Sequence, residues 1–130
     1  ETLTEQIDRI CRLMLQSAGM ETALYNDDFN EDVLNPDQKL AIYRIVQEQC
    51  TNIVKHSKAK NVDIVLATTQ EKFALKIEDD GVGMSPGQAM KGIGIQNMMS
   101  RLSVLNGSLF TDTAPGKGFS VYVEIPLEQV

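Results

Sequence analysis

Apolar residues recur at spacings of three and four in three stretches of the chain, which predicts three amphipathic helices. Gly19 follows the first stretch and suits the left-handed conformation that ends many helices. Asn35 and Pro36 provide an N-cap and a first helical residue for the second stretch, and Asn106-Gly107 closes the third. The predicted helices span about Leu3–Ser17, Asn35–His56 and Ile95–Leu105.

Strict alternation of apolar and polar residues predicts strands that bury one face. It is clearest on either side of a short connection at Thr68–Lys72, which predicts a β-hairpin. The predicted strands are Met20–Asn26, Val62–Leu66, Phe73–Glu78, Ser108–Asp112 and Phe119–Ile125. This order of elements indicates an α+β two-layer sandwich, in which three helices cover one face of a mostly antiparallel mixed sheet of about five strands.

Polar and glycine-containing segments separate these elements. An acidic loop occupies Asp27–Pro36, a loop with Gly, Pro and Ser runs from Asp79 to Gly94, and a turn lies at Pro115–Gly118. We expect residues 1–130 to form a single domain, because the chain shows no linker and no internal repeat. The chain opens at Glu1 inside a helical pattern, so we also expect it to be a fragment of a longer protein.

Composition narrows the function. The 130 residues carry 12 Lys and Arg against 18 Asp and Glu, a net charge of −6, which argues against a nucleic-acid-binding surface. The chain lacks a long apolar run and a signal-peptide pattern, so we expect a cytoplasmic domain without direct membrane contact. Cys11, Cys50 and the single His56 do not have zinc-ligand spacing, and no nucleophile elbow is present for a serine triad.

One side of the second helix carries a polar series that can be read in two ways. Arg44, Glu48, Asn52 and Lys55 lie close together on a helical projection. A solvated helix face is the ordinary interpretation, but Asn52 is a modest helix former for such a face. A carboxylate and an amide one turn apart can instead hold hydrated Mg²⁺ and a phosphate. The opposite arc is apolar and consists of Leu40, Tyr43, Val46, Cys50, Ile53 and Val54.

Two glycine motifs follow this helix. Asp79-Asp80-Gly81-Val82-Gly83 stands where a strand ends; glycine allows a ligand to approach the backbone, and a carboxylate can accept a hydrogen bond from an exocyclic amine such as that of adenine. Gly92-Ile93-Gly94 precedes the third helix, whose first N–H groups favour a phosphate. Each motif alone is also compatible with an ordinary turn. Together they predict a site for a nucleotide polyphosphate.

The order and spacing of these motifs resemble the GHKL ATPase superfamily, which includes gyrase B, Hsp90 and histidine kinases. Glu48-x-x-x-Asn52-x-x-Lys55-His56 resembles its N box, Asp79-x-Gly81-x-Gly83 its G1 box, and Gly92-x-Gly94 its G2 box. Gly116-Lys117-Gly118 resembles the last glycine turn. The segment from Gln47 to Ala59 is especially similar to the nitrate- and membrane-fluidity-sensing subfamily of histidine kinases.

The resemblance implies a Bergerat fold and the ATP-binding kinase domain of a two-component sensor histidine kinase. By resemblance, Asn52 is expected to ligate Mg²⁺, Lys55 to contact phosphate, and His56 to lie beside the ribose or adenine. Asp79 is expected to accept a hydrogen bond from the adenine amine, and Glu48 stands where the general base lies in ATP-hydrolysing relatives. The glycines expected to shape the nucleotide pocket and phosphate loop are Gly81, Gly83, Gly92, Gly94 and Gly118.

Several features set limits on this expectation. The short segment Met84–Lys91 implies a small ATP lid, and Phe119 stands where many relatives have Thr. Because His56 belongs to the N box and no other histidine is present, we expect the isolated chain to bind ATP without autophosphorylating. The expected partners are ATP, a separate phosphoacceptor-helix domain and, indirectly, a response regulator. Two alternatives stay open: a stand-alone serine kinase of the anti-sigma-factor type, and a degenerate module that binds without catalysis.

Overall fold

A five-stranded mixed sheet forms the frame of the molecule, with strand order β1-β2-β3-β5-β4 in the computed structural model, which describes residues 1–92 and 94–127. β1 pairs with β2 in parallel, and the other neighbouring strands are antiparallel. The strands are β1 Glu21–Tyr25, β2 Asn61–Thr68, β3 Lys72–Asp79, β4 Ser108–Thr113 and β5 Phe119–Pro126. The α-helices are α1 Leu3–Ile10, α2 Pro36–Asn52, α3 Pro86–Lys91 and α4 Ile95–Ser103.

The hydrophobic core lies between one face of this sheet and the helices. Alternate residues of β2, β3 and β5 are buried, as the period-two pattern predicts, and they form one cluster with the apolar sides of α1, α2 and α4. The predicted two-layer sandwich with three helices on one face is therefore confirmed. The buried strand residues are Val62, Ile64, Leu66, Phe73, Leu75, Ile77, Leu109, Phe119, Val121, Val123 and Ile125.

A reciprocal cap fixes the start of α2, the helix that carries the predicted N box. The Asn35 side chain accepts a hydrogen bond from the Gln38 N–H at 2.8 Å, and the Gln38 side chain accepts one from the Asn35 N–H at 2.8 Å. Pro36 occupies the first helical position, where its missing N–H costs nothing. The predicted helix start is therefore confirmed.

The predicted loop from Asp79 to Gly94 contains a helix that the periodicity did not indicate. α3 begins after Ser85, whose side chain caps the Gln88 N–H while the Gln88 side chain accepts from the Ser85 N–H. With six residues and only Ala89 buried, α3 is too short to show an apolar stripe. The feature of the sequence that does indicate this helix is the capping pair Ser85 and Gln88 with Pro86 at the first helical position.

Helix geometry also changes within two predicted helices. Wider π-type turns extend α1 over Cys11–Leu15 and α2 over Ile53–Ser57, so each helical segment is longer than its α-helical part. A 3₁₀ turn at Gln16–Ala18 then leads to Gly19, which has φ of 90° as expected for the residue after a helix. A second 3₁₀ turn, Glu31–Val33, lies within the predicted acidic loop.

The predicted division of α2 into an apolar and a polar arc is wrong at three positions. Leu40 and Val54 are 55% and 42% exposed, although both belong to the apolar arc. Asn52 belongs to the polar arc but is only 8% exposed. The sheet covers only part of the helix circumference, and the segment after β3 is hydrogen-bonded to the end of α2, near Asn52.

Among residues 1–92 and 94–127, no helix has both the length and the apolar character needed to cross a membrane.

Candidate functional site

A cleft opens between the C-terminal end of α2 and the segment that follows β3. It lies at the edge of the core, next to the start of β5. The cleft brings together Asn52, His56, Asp79 and Gly83, which the sequence predicted as site residues, and adds apolar walls. Its described lining consists of Gln49, Asn52, Ile53, His56, Ser57, Asp79, Gly83, Met84 and Phe119.

Asp79, the last residue of β3, places a buried carboxylate at the cleft. The residue is 3% exposed, and its Oδ1 accepts a hydrogen bond from the Gly81 N–H at 2.8 Å. Oδ2 accepts none within the described part of the chain, where no fully buried side-chain oxygen or nitrogen lacks a partner. Oδ2 therefore keeps some solvent-accessible surface, so an external donor can reach it.

Burial raises the pKa of the Asp79 carboxyl above its ordinary value, and the neighbouring charges of Asp80 and Glu78 add to this effect. The hydrogen bond from Gly81 acts in the opposite direction. Asp80 has a different environment: hydrogen bonds from Asn61 and from the Lys60 N–H lower the pKa of its carboxyl. The two adjacent acids therefore have different environments: Asp79 lines the cleft, and Asp80 fixes the start of β2.

Asn52 lies on the α2 side of the same cleft. Its side-chain amide donates to Gln49 Oε1 at 3.4 Å, and Gln49 is itself 2% exposed. Gln49 and Asn52 both line the cleft, so two amide side chains stand on its α2 side. The described residues contain no cluster of three acidic, His or Cys side chains that could hold a metal alone. This donor set fits Mg²⁺ that keeps phosphate and water ligands.

The segment after β3 is packed against backbone on both sides. A Cβ on Gly81 would lie 2.2 Å from the Ser57 carbonyl oxygen at the end of α2. One on Gly83 would lie 2.2 Å from the Ala114 carbonyl oxygen, and one on Gly118 would lie 2.2 Å from that of Asp79. No side chain can occupy these positions without displacing backbone. Glycine at each of the three positions therefore allows the backbone segments to pack closely against one another.

Hydrogen bonds hold the same segment in place. The Val82 N–H donates to the Ser57 carbonyl at 2.7 Å, which ties the loop to α2. The Gly118 N–H donates to the Gly81 carbonyl at 3.0 Å, which ties it to the turn before β5. The predicted N box, G1 box and last glycine turn therefore meet at a single place in the fold.

Glu48 lies one turn before Asn52 on α2 and reaches the beginning of α4. A Cβ on Gly94 would lie 2.1 Å from Glu48 Oε1, so this carboxylate rests directly on the Gly94 backbone. Gly94 has φ of 78° and forms the N-cap position of α4. Glu48 and the predicted phosphate loop are therefore neighbours, although neither belongs to the described lining of the cleft.

The remaining predicted site residues lie around the cleft. Lys55 and Gly92 are exposed and are not part of its described lining, and Ile93 of the Gly92-Ile93-Gly94 motif lies outside the described residues. Gly81 and Gly118 support the lining from behind. Phe119, which the sequence placed where many relatives have Thr, forms one apolar wall. Sequence reasoning missed the apolar walls Ile53 and Met84, and the polar residues Gln49 and Ser57. Ile53 belonged to the expected core stripe, and the others gave no distinguishing signal.

Comparison with known families agrees with this geometry. Residues 37–129 match the family described as "Histidine kinase-, DNA gyrase B-, and HSP90-like ATPase". The chain belongs to this ATPase family. The match includes every site residue predicted from the sequence.

Curated relatives in this family are sensor kinases. The chain is 40% identical over 97 residues to the sensor histidine kinase ComP of Bacillus subtilis, covering 72% of the chain and 13% of ComP. It is 36% identical over 121 residues to the histidine-protein kinase/phosphatase UhpB of Salmonella typhimurium, covering 92% of the chain and 24% of UhpB. The chain thus spans less than a quarter of either relative.

Solved structures confirm the fold of this ATPase domain. The histidine kinase domain of a blue-light-activated kinase from Erythrobacter litoralis superposes with a TM-score of 0.78 at 19% identity, covering 96% of the chain and 61% of that domain. The catalytic domain of the histidine kinase ThkA superposes with a TM-score of 0.77 at 16% identity, covering 98% and 93%. At these identities, the similarity establishes the fold alone.

The contact between Glu48 and Gly94 can be tested with Gly94→Ala. We expect this variant to lose more unfolding free energy than Gly116→Ala, measured by urea denaturation. Gly116 has the same φ of 78° but nothing within 4 Å of the place where a Cβ would stand, so it reports the backbone strain alone, about 1–2 kcal/mol. Combining Gly94→Ala with Glu48→Ala should remove the additional loss of unfolding free energy that Gly94→Ala shows over Gly116→Ala. An equal loss in the two single variants would show that Glu48 does not crowd this position.

The raised pKa of Asp79 predicts how stability depends on pH. The folded state binds a proton more tightly than the unfolded state, so ionisation of Asp79 costs stability as pH rises through the folded pKa. Asn at this position keeps an oxygen for the Gly81 N–H without the charge. We therefore expect the stability of Asp79→Asn relative to the parent to increase from acidic to neutral pH, measured by urea denaturation at several pH values. If the stability of Asp79→Asn relative to the parent stays constant or decreases over this pH range, the pKa of Asp79 is not raised.

Proposed function

We propose that this chain binds Mg-ATP and donates the γ-phosphoryl group to a histidine of a separate phosphoacceptor-helix domain, as the ATP-binding part of a two-component sensor kinase. The observation that supports this most strongly is that Asp79 and Asn52 line one cleft that also has apolar walls. A purine needs both a flat apolar slot and a polar group at its edge.

The adenine end of the proposed site lies at Asp79. Ile53, Met84 and Phe119 enclose the base, and Asp79 Oδ2 accepts a hydrogen bond from its exocyclic amine. Such a donor favours the ionised carboxylate and offsets the burial that raises its pKa. His56 lines the same cleft and contacts the ribose or the base in this arrangement.

The triphosphate extends from this cleft toward the beginning of α4. Asn52 lies between the base pocket and Glu48, and Lys55 follows it on the exposed end of α2. In the proposal, Asn52 holds Mg²⁺ together with the phosphates, and Lys55 and the Gly92 and Gly94 backbone bind phosphate oxygens. The metal ion neutralises phosphate charge, which favours a transfer that depends mainly on positioning and electrostatics.

The transfer requires a group that accepts the proton from the attacking imidazole. The nitrogen of the acceptor histidine forms the N–P bond while the bond between the γ-phosphorus and the bridging oxygen breaks, and ADP leaves with that electron pair. Glu48 is proposed to take the imidazole proton, since its carboxylate lies beside Gly94 at the phosphate end. Because the acceptor lies on another domain, the isolated chain is not expected to phosphorylate itself.

The finer family assignment also belongs to this proposal. The segment from Gln47 to Ala59 supports the nitrate- and membrane-fluidity-sensing subfamily, in which a response regulator receives the phosphoryl group from the acceptor histidine. ATP supply places the domain in the cytoplasm. The names of the curated relatives, which are sensor histidine kinases, favour a histidine rather than a serine acceptor.

Base recognition is tested by Asp79→Asn. We expect ATP binding to weaken by roughly 1–3 kcal/mol, the usual cost of losing a hydrogen bond to a charged group. The preference for ATP over inosine triphosphate, which lacks the exocyclic amine, should disappear in the same calorimetric titrations. Asp80→Asn is the matched control, because Asp80 holds the start of β2 and is not part of the described cleft lining. An unchanged ATP preference in Asp79→Asn would refute this role.

Phosphoryl transfer is tested by mixing the chain with a separately expressed acceptor-helix domain and γ-labelled ATP. We expect label on an acid-labile phosphohistidine of the acceptor and none on the chain alone. Asn52→Asp should impair transfer and change its Mg²⁺ dependence while leaving the fold intact by circular dichroism. Acid-stable label on serine would instead favour the anti-sigma-factor type of kinase, and absence of ATP binding at millimolar ligand would favour a degenerate module.

A further inference from the structure

The buried hydroxyl of Thr113 connects three segments around the proposed nucleotide cleft. Thr113 ends β4 and is 8% exposed. Its Oγ1 donates a hydrogen bond to the Gly118 carbonyl at 2.7 Å and accepts one from the Met84 N–H at 3.1 Å. One hydroxyl thus satisfies a carbonyl of the turn before β5 and an N–H of the segment after β3.

The hydrogen bond from the Met84 N–H to Thr113 matters because Met84 lines the cleft. It lines the cleft opposite Ile53 and stands directly before Ser85, the N-cap of α3. The earlier bonds of the segment end at Val82, whose N–H and carbonyl pair with Ser57 and Gly116. The bond to Thr113 is therefore the last described backbone anchor before α3 begins.

The segment after β3 packs closely against Thr113 and the turn before β5 at Gly83. A Cβ on Gly83 would lie 3.1 Å from Thr113 Oγ1 and 2.7 Å from the Gly118 carbonyl oxygen, so the backbone already touches the hydroxyl. Gly83 has φ of 63°, which turns the chain toward Thr113. Replacing the hydroxyl by a methyl group would leave the Met84 N–H and the Gly118 carbonyl without this partner.

We propose that Thr113 is a positioning residue for the nucleotide, because its hydroxyl fixes Met84 as one wall of the cleft. Thr113 is not part of the described cleft lining and acts through Met84. This inference rests on the proposed function, since it concerns the pocket in which the base is thought to bind. Loss of the hydroxyl loosens the wall that adenosine, ADP and ATP share.

The test compares Thr113→Val and Thr113→Ser with Thr111→Val. Thr111 lies two residues earlier on the same strand, and its hydroxyl makes no hydrogen bond within the described part of the chain, so Thr111→Val makes the same chemical change away from the loop. We expect Thr113→Val to raise the Kd of adenosine, ADP and ATP by about tenfold alike, the usual effect of leaving one buried partner unsatisfied. Thr113→Ser and Thr111→Val should bind within about twofold of the parent.

Several results would overturn the inference. Unchanged affinity in Thr113→Val, no rescue in Thr113→Ser, or weakening of ATP alone would each do so while leaving the proposed function intact. Absence of ATP binding by the parent chain would refute both. If Thr113→Val does not fold, hydrogen exchange of the Met84 N–H in the parent decides: protection comparable to that of the Val82 N–H supports the anchor, and unprotected exchange contradicts it.

Discussion

Backbone packing around the segment after β3 is the constraint on which the proposed site depends. The carbonyl oxygens of Ser57, Ala114 and Asp79 each lie 2.2 Å from the position of a Cβ on Gly81, Gly83 and Gly118, respectively. Because these contacts join backbone to backbone, they leave little room for side-chain rearrangement to relieve a substitution. The end of α2, the segment after β3 and the turn before β5 are consequently held together, and the cleft between them has defined walls.

This packing has an electrostatic consequence. It buries Asp79 and thereby raises the pKa of its carboxyl above the ordinary value. Polar groups that are costly in the free protein are frequent at functional sites, because a ligand can satisfy them. Asn52, which is buried on a helix side that the sequence assigned to solvent, lines the same cleft. Both side chains therefore belong to the polar part of the cleft lining.

The sequence predicted the sheet, the three long helices and the meeting of Asn52 with Asp79, because periodicity and ordered motifs report local geometry and family relationship. It failed where tertiary packing decides. α3 is too short to show a period, Leu40 and Val54 are exposed although they belong to the apolar arc, and Asn52 is buried although it belongs to the polar arc. The cleft wall Met84 could not be identified either, since no pattern distinguishes an apolar wall from an apolar core residue.

The central claim is that Asn52 and Asp79 contact the same nucleotide. The most direct measurement is an NMR titration of the isotope-labelled chain with Mg²⁺ and a non-hydrolysable ATP analogue. We expect the largest shifts at the side-chain amide of Asn52 and the backbone amides of Gly81, Gly83 and Met84, with intermolecular NOEs from the adenine protons to Ile53 or Met84. Shifts confined to another surface, such as the groove beside Arg44 and Arg101, would contradict the claim.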